Sequence, residues 1–303
     1  TNSLDPHQAD LVGISLCSKV GKACYIPVGH KSPKCLKKDA VIKKLKKILE
    51  DPSIKKIGQN IKFDFIVFYK CGITLSSMED TMLMSYVLDA GKNRHNMDTL
   101  SEIHLGHKTI SFKDMVGTGK KEINFSEVEL DKAKDYAAED ADVTFRLYKK
   151  FIKNLKSEKM INIYEIFEKP LIKILAFMEI EGVEIDSKFL KSLSSKFEKK
   201  IQKLEKEVFK ISKKEFNIAS PKQLGEIIYN DLKIAGLKKT KKGSFATSAS
   251  VLEDLAFKGH EFPKLILDWR QVSKLKNTYS DALPEHLNPN TKRVHTSFLL
   301  AAT

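Results

Sequence analysis

Two aspartates occupy helix positions where the sequence pattern calls for an apolar side chain. The first is Asp140, in a segment predicted to be helical over 126–156. Residues on one face of that helix, at spacings of three and four, are Ala133, Tyr136, Asp140, Val143 and Leu147. Burying an unpaired charge is costly, so an aspartate inside such a stripe needs compensation. Tyr136 precedes Asp140 by one turn, and the two polar groups point into the same space. A solvated aspartate on a less extensive stripe explains the pattern equally well.

The second is Asp64, in the predicted helix 61–71, where it lies between Ile61 and Phe68 on one face. Asn60 is placed to cap this helix. Two aspartates that converge on one cleft could hold divalent cations, since Mg²⁺ prefers carboxylate oxygens, water and phosphates. Two such cations support in-line cleavage of a phosphodiester, one activating water and the other stabilising the leaving oxygen. Metal-dependent phosphodiester cleavage is therefore one hypothesis.

The elements that must position these residues change in character along the chain. The first half alternates strands with helices, which is typical of an α/β sheet covered by helices. Its predicted strands are 11–17, 22–28 and 55–59, and its predicted helices are 39–50, 61–71, 78–89, 96–105 and 126–156. The second half is predicted to be helical at 160–182, 187–212, 221–232, 248–257 and 262–282. We therefore expect two domains, 1–157 and 158–303.

Composition narrows the class of protein. The 303 residues carry 53 basic and 39 acidic side chains, a formal charge of +14 that suggests a polyanionic partner. Lysine dominates this excess, which can also reflect the base composition of a genome. No apolar stretch approaches the length of a membrane span, and no signal peptide is visible. The four cysteines lack a C-x-x-C spacing, so reduced thiols and a cytoplasmic protein are expected.

Several motifs resemble one family along essentially the whole chain. GQNIKFD (58–64) and YAAEDADVT (136–144) closely resemble the second and third exonuclease motifs of the bacterial DNA polymerase I family (family A). Three further segments between these two motifs resemble the same family and occur in the same order: EDTMLMSYVLD, RHNMDTL and HKTISF. Beyond the predicted boundary, FNIASPKQLGEII, SKLKNTY and NPNTKRVHTSF resemble the polymerase thumb and its exit toward the palm.

The resemblance implies an α/β ribonuclease-H-like 3′–5′ exonuclease domain followed by a mostly α-helical thumb. It implies two divalent cations, Mg²⁺ or Mn²⁺, with Zn²⁺ as an alternative at one site. By motif, Asp140 would bind the first cation, Tyr136 would orient the attacking water, and Asp64 would serve the second cation largely through water. Asn60, Leu4 and Phe112 would lie near the terminal nucleotide. Core packing is the alternative for the last two.

The resemblance also implies DNA as the partner of a monomeric, proofreading enzyme of DNA replication and repair in the bacterial cytoplasm, associated with the nucleoid. A single-stranded 3′ end would enter the exonuclease site, and the thumb would hold duplex DNA. The candidate phosphate contacts are Lys238, Lys239, Lys241 and Lys242, with Ser244 and Thr247 as weaker donors. A solvated lysine loop is the alternative.

One departure from the family lies at the start of the sequence. The family's first motif is an Asp-x-Glu pair on the first strand, immediately before a segment like Thr1–Asp5. We therefore expect the first strand to be missing, together with the palm and fingers. On this expectation the 303 residues alone have neither polymerase activity nor efficient exonuclease activity, and are poorly soluble.

Two other functions are consistent with part of the pattern. A ribonuclease D-like exoribonuclease shares the Tyr136-x-x-x-Asp140 arrangement, although its C-terminal half would differ. A degenerate exonuclease fold that only binds DNA would require loss of the metal carboxylates, and Asp64 and Asp140 are present.

Overall fold

The chain divides into two units by packing. A computed structural model describes residues 1–119, 122–234 and 245–302. One unit comprises Thr1–Gly182 with His295–Thr303, and the other comprises Val183–Val294. The boundary predicted at 157/158 follows a change in composition, whereas packing keeps the next helical segment with the first unit.

The strands of the first unit form two separate pairs. Strands β1 (Gly13–Lys19) and β2 (Lys22–Pro27) are antiparallel, and β3 (Lys56–Gly58) is parallel to β4 (Met78–Asp80). Both hairpin strands and β3 confirm the sequence prediction, while β4 was predicted as the start of a helix. A Cβ added at Gly13 on β1 would lie 2.0 Å from the hydroxyl of Tyr25, so a larger residue would require the Tyr25 ring to shift.

The helices of the first unit cover these strands. They are α1 (Lys38–Glu50), α2 (Ile61–Lys70), α3 (Thr81–Asp89), α4 (Met97–Leu105), α5 (Phe112–Val116) and α6 (Leu130–Ser157), with a short 3₁₀ turn at Phe125–Glu127. Helix α6 packs against β1, β2, α3 and α4. Ala133, Val143 and Leu147 are all buried on it, which confirms the predicted core-facing stripe.

One further helical segment, Ile161–Glu181, completes the first unit, and we call it the connecting helix. It consists of α7 (Ile161–Ile163), a π-helical turn at Tyr164–Glu168, and α8 (Lys169–Glu181). Pro170 lies at the start of α8, directly after the π-helical turn. Tyr164 is fully buried in the main core of the unit.

The second unit is almost entirely helical. Its helices are α9 (Ser187–Ser212), α10 (Pro221–Glu226), α11 (Ala249–Phe257), α12 (Glu261–Lys274) and α13 (Ala282–Glu285), with π-helical turns at Ile227–Asp231 and Leu275–Asp281. Short strands β5 (Val183–Glu184) and β6 (Arg293–Val294) pair antiparallel. The helix predicted at 187–212 is confirmed, and the Asp186 side chain caps it by accepting from the Phe189 N–H.

All four cysteines are free thiols. Within the residues that the structure describes, we find no helix with both the length and the apolar character needed to cross a bilayer.

Candidate active site

Asp140 and Tyr136 lie one turn apart on α6, inside the core-facing stripe. The Tyr136 phenol hydrogen-bonds the Asp140 carboxylate. The Oδ1 atom of Asp140 is buried and has no hydrogen-bond partner among the described residues. Buried polar atoms are nearly always paired, so an unpaired carboxylate oxygen is unusual. Among the described residues nothing bonds to this oxygen, which is therefore placed to receive a ligand such as water or a cation.

The environment of this pair favours its neutral forms. Burial raises the pKa of Asp140 to about 7, and the negative charges of Glu139 and Asp98 add to the shift, while the hydrogen bond from Tyr136 opposes it. Burial also raises the pKa of the Tyr136 phenol well above its usual value. Tyr136 therefore keeps its proton at neutral pH and acts as a hydrogen-bond donor.

Asp64 occupies a different environment from the one its sequence pattern predicts. Its neighbours on α2, Ile61 and Phe65, are buried, but Asp64 itself is exposed. The expectation of a core-facing carboxylate is therefore wrong. The surrounding protein, followed by the charge of Asp80, still raises the pKa of Asp64, and the amino group of Thr1 lowers it. Water reaches this carboxylate and moderates the shift.

The two aspartates respond to different neighbours. Asp80 and the Thr1 amino group act on Asp64, whereas Glu139 and Asp98 act on Asp140. No three His, Cys, Asp or Glu side chains in the described part of the chain come together in an arrangement suited to a metal ion. The unpaired Asp140 oxygen thus fits a cation, but these side chains provide fewer ligands than full coordination requires.

Asp80 is a functional candidate that the sequence reasoning missed. Its buried carboxylate accepts from four backbone N–H groups, two at the start of α2 and two at the start of α3. The distances are 3.2 Å from Asn60, 2.8 Å from Ile61, 2.8 Å from Met82 and 3.3 Å from Leu83. Burial raises the pKa of Asp80 to about 6 against the opposing effect of these bonds. An Asp directly before a helix start is a capping signal, which could have located it.

Asn60 does not cap α2 with its own side chain, contrary to the prediction. Its backbone is left-handed, with φ of 59°, and Asp80 supplies the capping oxygens instead. Asn60 borders a cavity of about 560 Å³. The cavity is lined by Gln59, Asn60, Met82, Asn93, Arg94, His95, Asn96, Met97 and Ala301. Apolar atoms make up most of the lining surface, and polar side chains contribute the remainder.

Leu4 and Phe112 are available to a ligand. Leu4 is 93% exposed and Phe112 is 44% exposed, so the core-packing alternative is wrong for both. The Phe112 ring lies 6.0 Å from that of Tyr136 and 6.0 Å from that of Phe125. This aromatic surface therefore extends from the Tyr136–Asp140 pair to the solvent.

Glu139 fixes the loop that leads to Phe112. Its carboxylate lies 2.8 Å from Nε2 of His107 and accepts from the Ile110 N–H at 2.7 Å. The residue next to Asp140 in sequence thereby ties α6 to the segment before α5. The sequence analysis assigned no role to it.

The predicted phosphate contacts of the second unit are only partly visible. Lys238, Lys239, Lys241, Lys242 and Ser244 lie outside the described residues. Thr247 is described and is 7% exposed, and its carbonyl oxygen accepts from Arg270 at 2.7 Å. Because Thr247 is buried, the prediction that it contacts phosphate is wrong.

Comparisons with family models divide the chain in two. Residues 1–156 match a family described as 3′-5′ exonuclease, and residues 187–303 match DNA polymerase family A. The second match argues against the ribonuclease D-like alternative, which would continue with a different C-terminal half.

Individual relatives and a solved structure agree with this division. The chain is 45% identical to DNA polymerase I of Rhizobium leguminosarum, over 100% of its own length and 32% of the relative. It is 42% identical to DNA polymerase I of Pseudomonas aeruginosa, over 98% of its length and 33% of the relative. The chain thus spans about a third of the length of these curated relatives. Its fold is similar to that of the POL domain of Pol1 from M. smegmatis, solved with DNA primer-template and dNTP (TM-score 0.71, 25% identity, 92% of this chain and 44% of that one).

Proposed function

The chain belongs to the 3′–5′ exonuclease family, and on that premise we propose that its first unit contributes to the removal of nucleotides from the 3′ end of DNA by a DNA polymerase I and that its second unit holds duplex DNA. Hydrolysis would add water across the terminal phosphodiester, releasing a nucleoside 5′-monophosphate and leaving a 3′-hydroxyl on the shortened strand. In this proposal the protein is a monomer, and the fold of the first unit is of the ribonuclease-H-like type.

The observation that carries the proposal is the Tyr136–Asp140 pair. An aspartate oxygen that is buried and has no partner in the described ranges, one turn from a protonated phenol, lies within the segment that matches the exonuclease family. Tyr136 would hold the attacking water through its hydroxyl while it donates to Asp140. Asp140 must be ionised to act as a ligand, and its raised pKa means that binding a cation near neutral pH would release a proton.

Two divalent cations, Mg²⁺ or Mn²⁺, are the proposed cofactors, with Zn²⁺ as the alternative at one site. Asp140 would hold the first, and Asp64 would face the second through water. Bound cations would supply activation of water and stabilisation of the leaving oxygen. Because two carboxylates do not complete the coordination of two cations, phosphate oxygens and water would provide further ligands.

A cross-linking experiment tests where the 3′ end binds, independently of turnover. We would photo-cross-link the chain to a single-stranded oligonucleotide with 4-thiothymidine at its 3′ terminus and map the products by mass spectrometry. Cross-links at Leu4, Phe112 or Tyr136 are expected with the 3′ label and not with the same label at the 5′ end. Cross-links confined to the second unit with either label would refute the proposed exonuclease site.

Replacing Phe112 by alanine should weaken binding of a single-stranded 3′ end by about 5- to 150-fold, because a base–aromatic stacking contact is worth about 1–3 kcal/mol. Fluorescence anisotropy with a 3′-labelled oligonucleotide measures the change. Phe257→Ala removes a phenylalanine that is 95% exposed on α11, in the second unit, and serves as the matched control. Equal effects of both substitutions would remove Phe112 from the proposed site.

The proposed duplex contacts predict a change in salt dependence. Replacing Lys238, Lys239, Lys241 and Lys242 together by alanine should reduce the slope of log affinity against log salt by up to about 3.6, since each neutralised phosphate contributes about 0.9. The control is Lys43, Lys44, Lys46 and Lys47 on α1, which have the same spacing and are exposed. A slope that changes equally in both quadruple variants would mean that the 238–242 lysines act only through net charge.

A further inference from the structure

A buried ion pair joins α2 to the connecting helix. The Lys62 ammonium on α2 pairs with Oε1 of Glu179 on α8, and the two side chains are 6% and 0% exposed. Breaking a buried pair by removing one partner leaves the other charge uncompensated. The Lys62–Glu179 contact therefore fixes the distance between these two helices.

Backbone atoms of Phe298 close the same cluster. Lys62 donates to the Phe298 carbonyl at 2.8 Å, and the Phe298 N–H donates to Oε1 of Glu179 at 2.6 Å. Nearby, Nδ1 of His295 lies 2.8 Å from the main-chain oxygen of Glu179. The segment His295–Ala302 thus meets α2 and α8 at one point, which we call the Glu179 cluster (Lys62, Glu179 and Phe298).

The Glu179 cluster holds the turn that presents Asp64. Lys62 and Asp64 are two residues apart on α2, so their side chains leave the helix on roughly opposite sides. This agrees with the observed burial of Lys62 and exposure of Asp64. The same turn is held at its N-terminus by Asp80, through the N–H groups of Asn60 and Ile61.

A second buried contact links the connecting helix to the Asp80 cap. The Tyr164 hydroxyl accepts from the Asp80 N–H at 2.9 Å and donates to Glu79 at 3.0 Å. Lys169 on the same helix pairs with Glu79 at 2.9 Å. The connecting helix therefore bonds to the first turn of α2 at two points. One is the Asp80 cap, and the other is Lys62 on the buried face of α2.

We propose that Glu179 is a positioning residue of the exonuclease site. It holds the first turn of α2 in the position that presents Asn60 and Asp64 together. Because Glu179 also bonds to the segment His295–Ala302, the position of this turn depends on that segment. The inference rests on the proposed function for its consequence in binding. It assigns to a residue outside the exonuclease motifs a role that operates through Lys62 rather than through contact with substrate.

Native-state hydrogen exchange on the full chain tests the positioning without any ligand. In Glu179→Gln the amides of Asn60 and Ile61 should lose at least tenfold protection relative to amides in the core of α6. Glu158→Gln removes one negative charge at the exposed end of α6 and should leave both amides unchanged. Unchanged protection of Asn60 and Ile61 in Glu179→Gln would overturn the inference.

The effect on binding is measured as two affinities. Electron paramagnetic resonance gives the affinity for Mn²⁺, and a 3′-labelled single strand gives the affinity for a 3′ end. Glu179→Gln should weaken both at least tenfold and leave duplex affinity within twofold. The double variant Lys62→Met, Glu179→Met replaces the pair by apolar side chains, which restores packing but not the directed bonds. We expect it to recover the melting temperature and not the lost affinities.

The outcomes separate the inference from the proposed function. If the double variant recovers the affinities as well as the melting temperature, Glu179 has only a packing role and the inference fails. If the unsubstituted chain binds neither Mn²⁺ nor the 3′ end, the proposed function fails, and hydrogen exchange still decides whether Glu179 positions α2.

Discussion

Replacing Asp140 by asparagine should stabilise the metal-free chain at pH 8 by about 1–3 kcal/mol. The folded state raises the pKa of Asp140 from 3.8 to about 7, so it binds this proton more tightly than the unfolded state. The stabilising contribution of the carboxyl is therefore complete below about pH 4 and is lost as the pH rises through 7. The full shift corresponds to about 4 kcal/mol, and solvent screening of the partly exposed Asp140 carboxylate lowers the expected effect below that value.

Calorimetric unfolding in EDTA from pH 4 to pH 8 measures this effect. The difference between variant and parent should be near zero at pH 4, grow up to pH 7 and level off above it. Histidines titrate in the same window in both proteins, so the difference isolates Asp140. Asp254→Asn, on the exposed face of α11, is the control. A constant difference across the range would show that Asp140 is not held in its neutral form.

The second large effect is expected at Asp80. Asp80→Ala should destabilise the chain by about 3–5 kcal/mol, because four N–H groups at two helix starts lose a charged acceptor worth about 1.5–3 kcal/mol per bond. Release of a buried carboxylate with a raised pKa offsets part of this loss. Asp80→Asn keeps one acceptor oxygen and should cost less. Urea denaturation gives the free energies of unfolding.

Asp89→Ala is the matched control for this substitution. Asp89 lies at the C-terminal end of α3, where a negative charge interacts unfavourably with the helix dipole. Its replacement should therefore change stability by less than about 0.5 kcal/mol. A loss at Asp80 no larger than at Asp89 would mean that water or neighbouring groups replace the lost acceptors.

The sequence predicted best where one long element carries its own periodic signal. Helix α6 repeats apolar residues at helical spacing over many turns, so both its existence and its core-facing stripe could be predicted from spacing. The spacing alone left an inward and a solvated position of Asp140 equally open. Helix α9 begins at the Asp186 cap and ends where predicted. Local signals of this kind do not depend on distant parts of the chain.

Errors arose where distant contacts decide the structure. Strand β4 contains Glu79 and Asp80, which are poor strand formers, and it exists because it pairs with β3 and bonds to Tyr164. Asp64 was expected to face the core because its sequence neighbours are apolar. Buried residues of α2 belong to two core clusters around the helix, so an apolar composition does not determine which side chain faces the solvent.

Two features lay beyond any local pattern. The Lys62–Glu179 pair joins residues 117 positions apart in the sequence, and nothing in either motif signals the other. The packing boundary after Gly182 likewise depends on contacts of the connecting helix with β4 and α2, rather than on the change of composition near residue 157.

The π-helical turn at Tyr164–Glu168 sets the angular phase between the two ends of the connecting helix. A π-turn contains one residue more than an α-turn, and one residue corresponds to about 100° of rotation. Tyr164 and Glu179 bond to different partners in the same unit, so both side chains must point toward the rest of that unit. Removing a single residue from this turn would rotate one of them away. The residue count of this segment is therefore as restricted as the identity of its side chains.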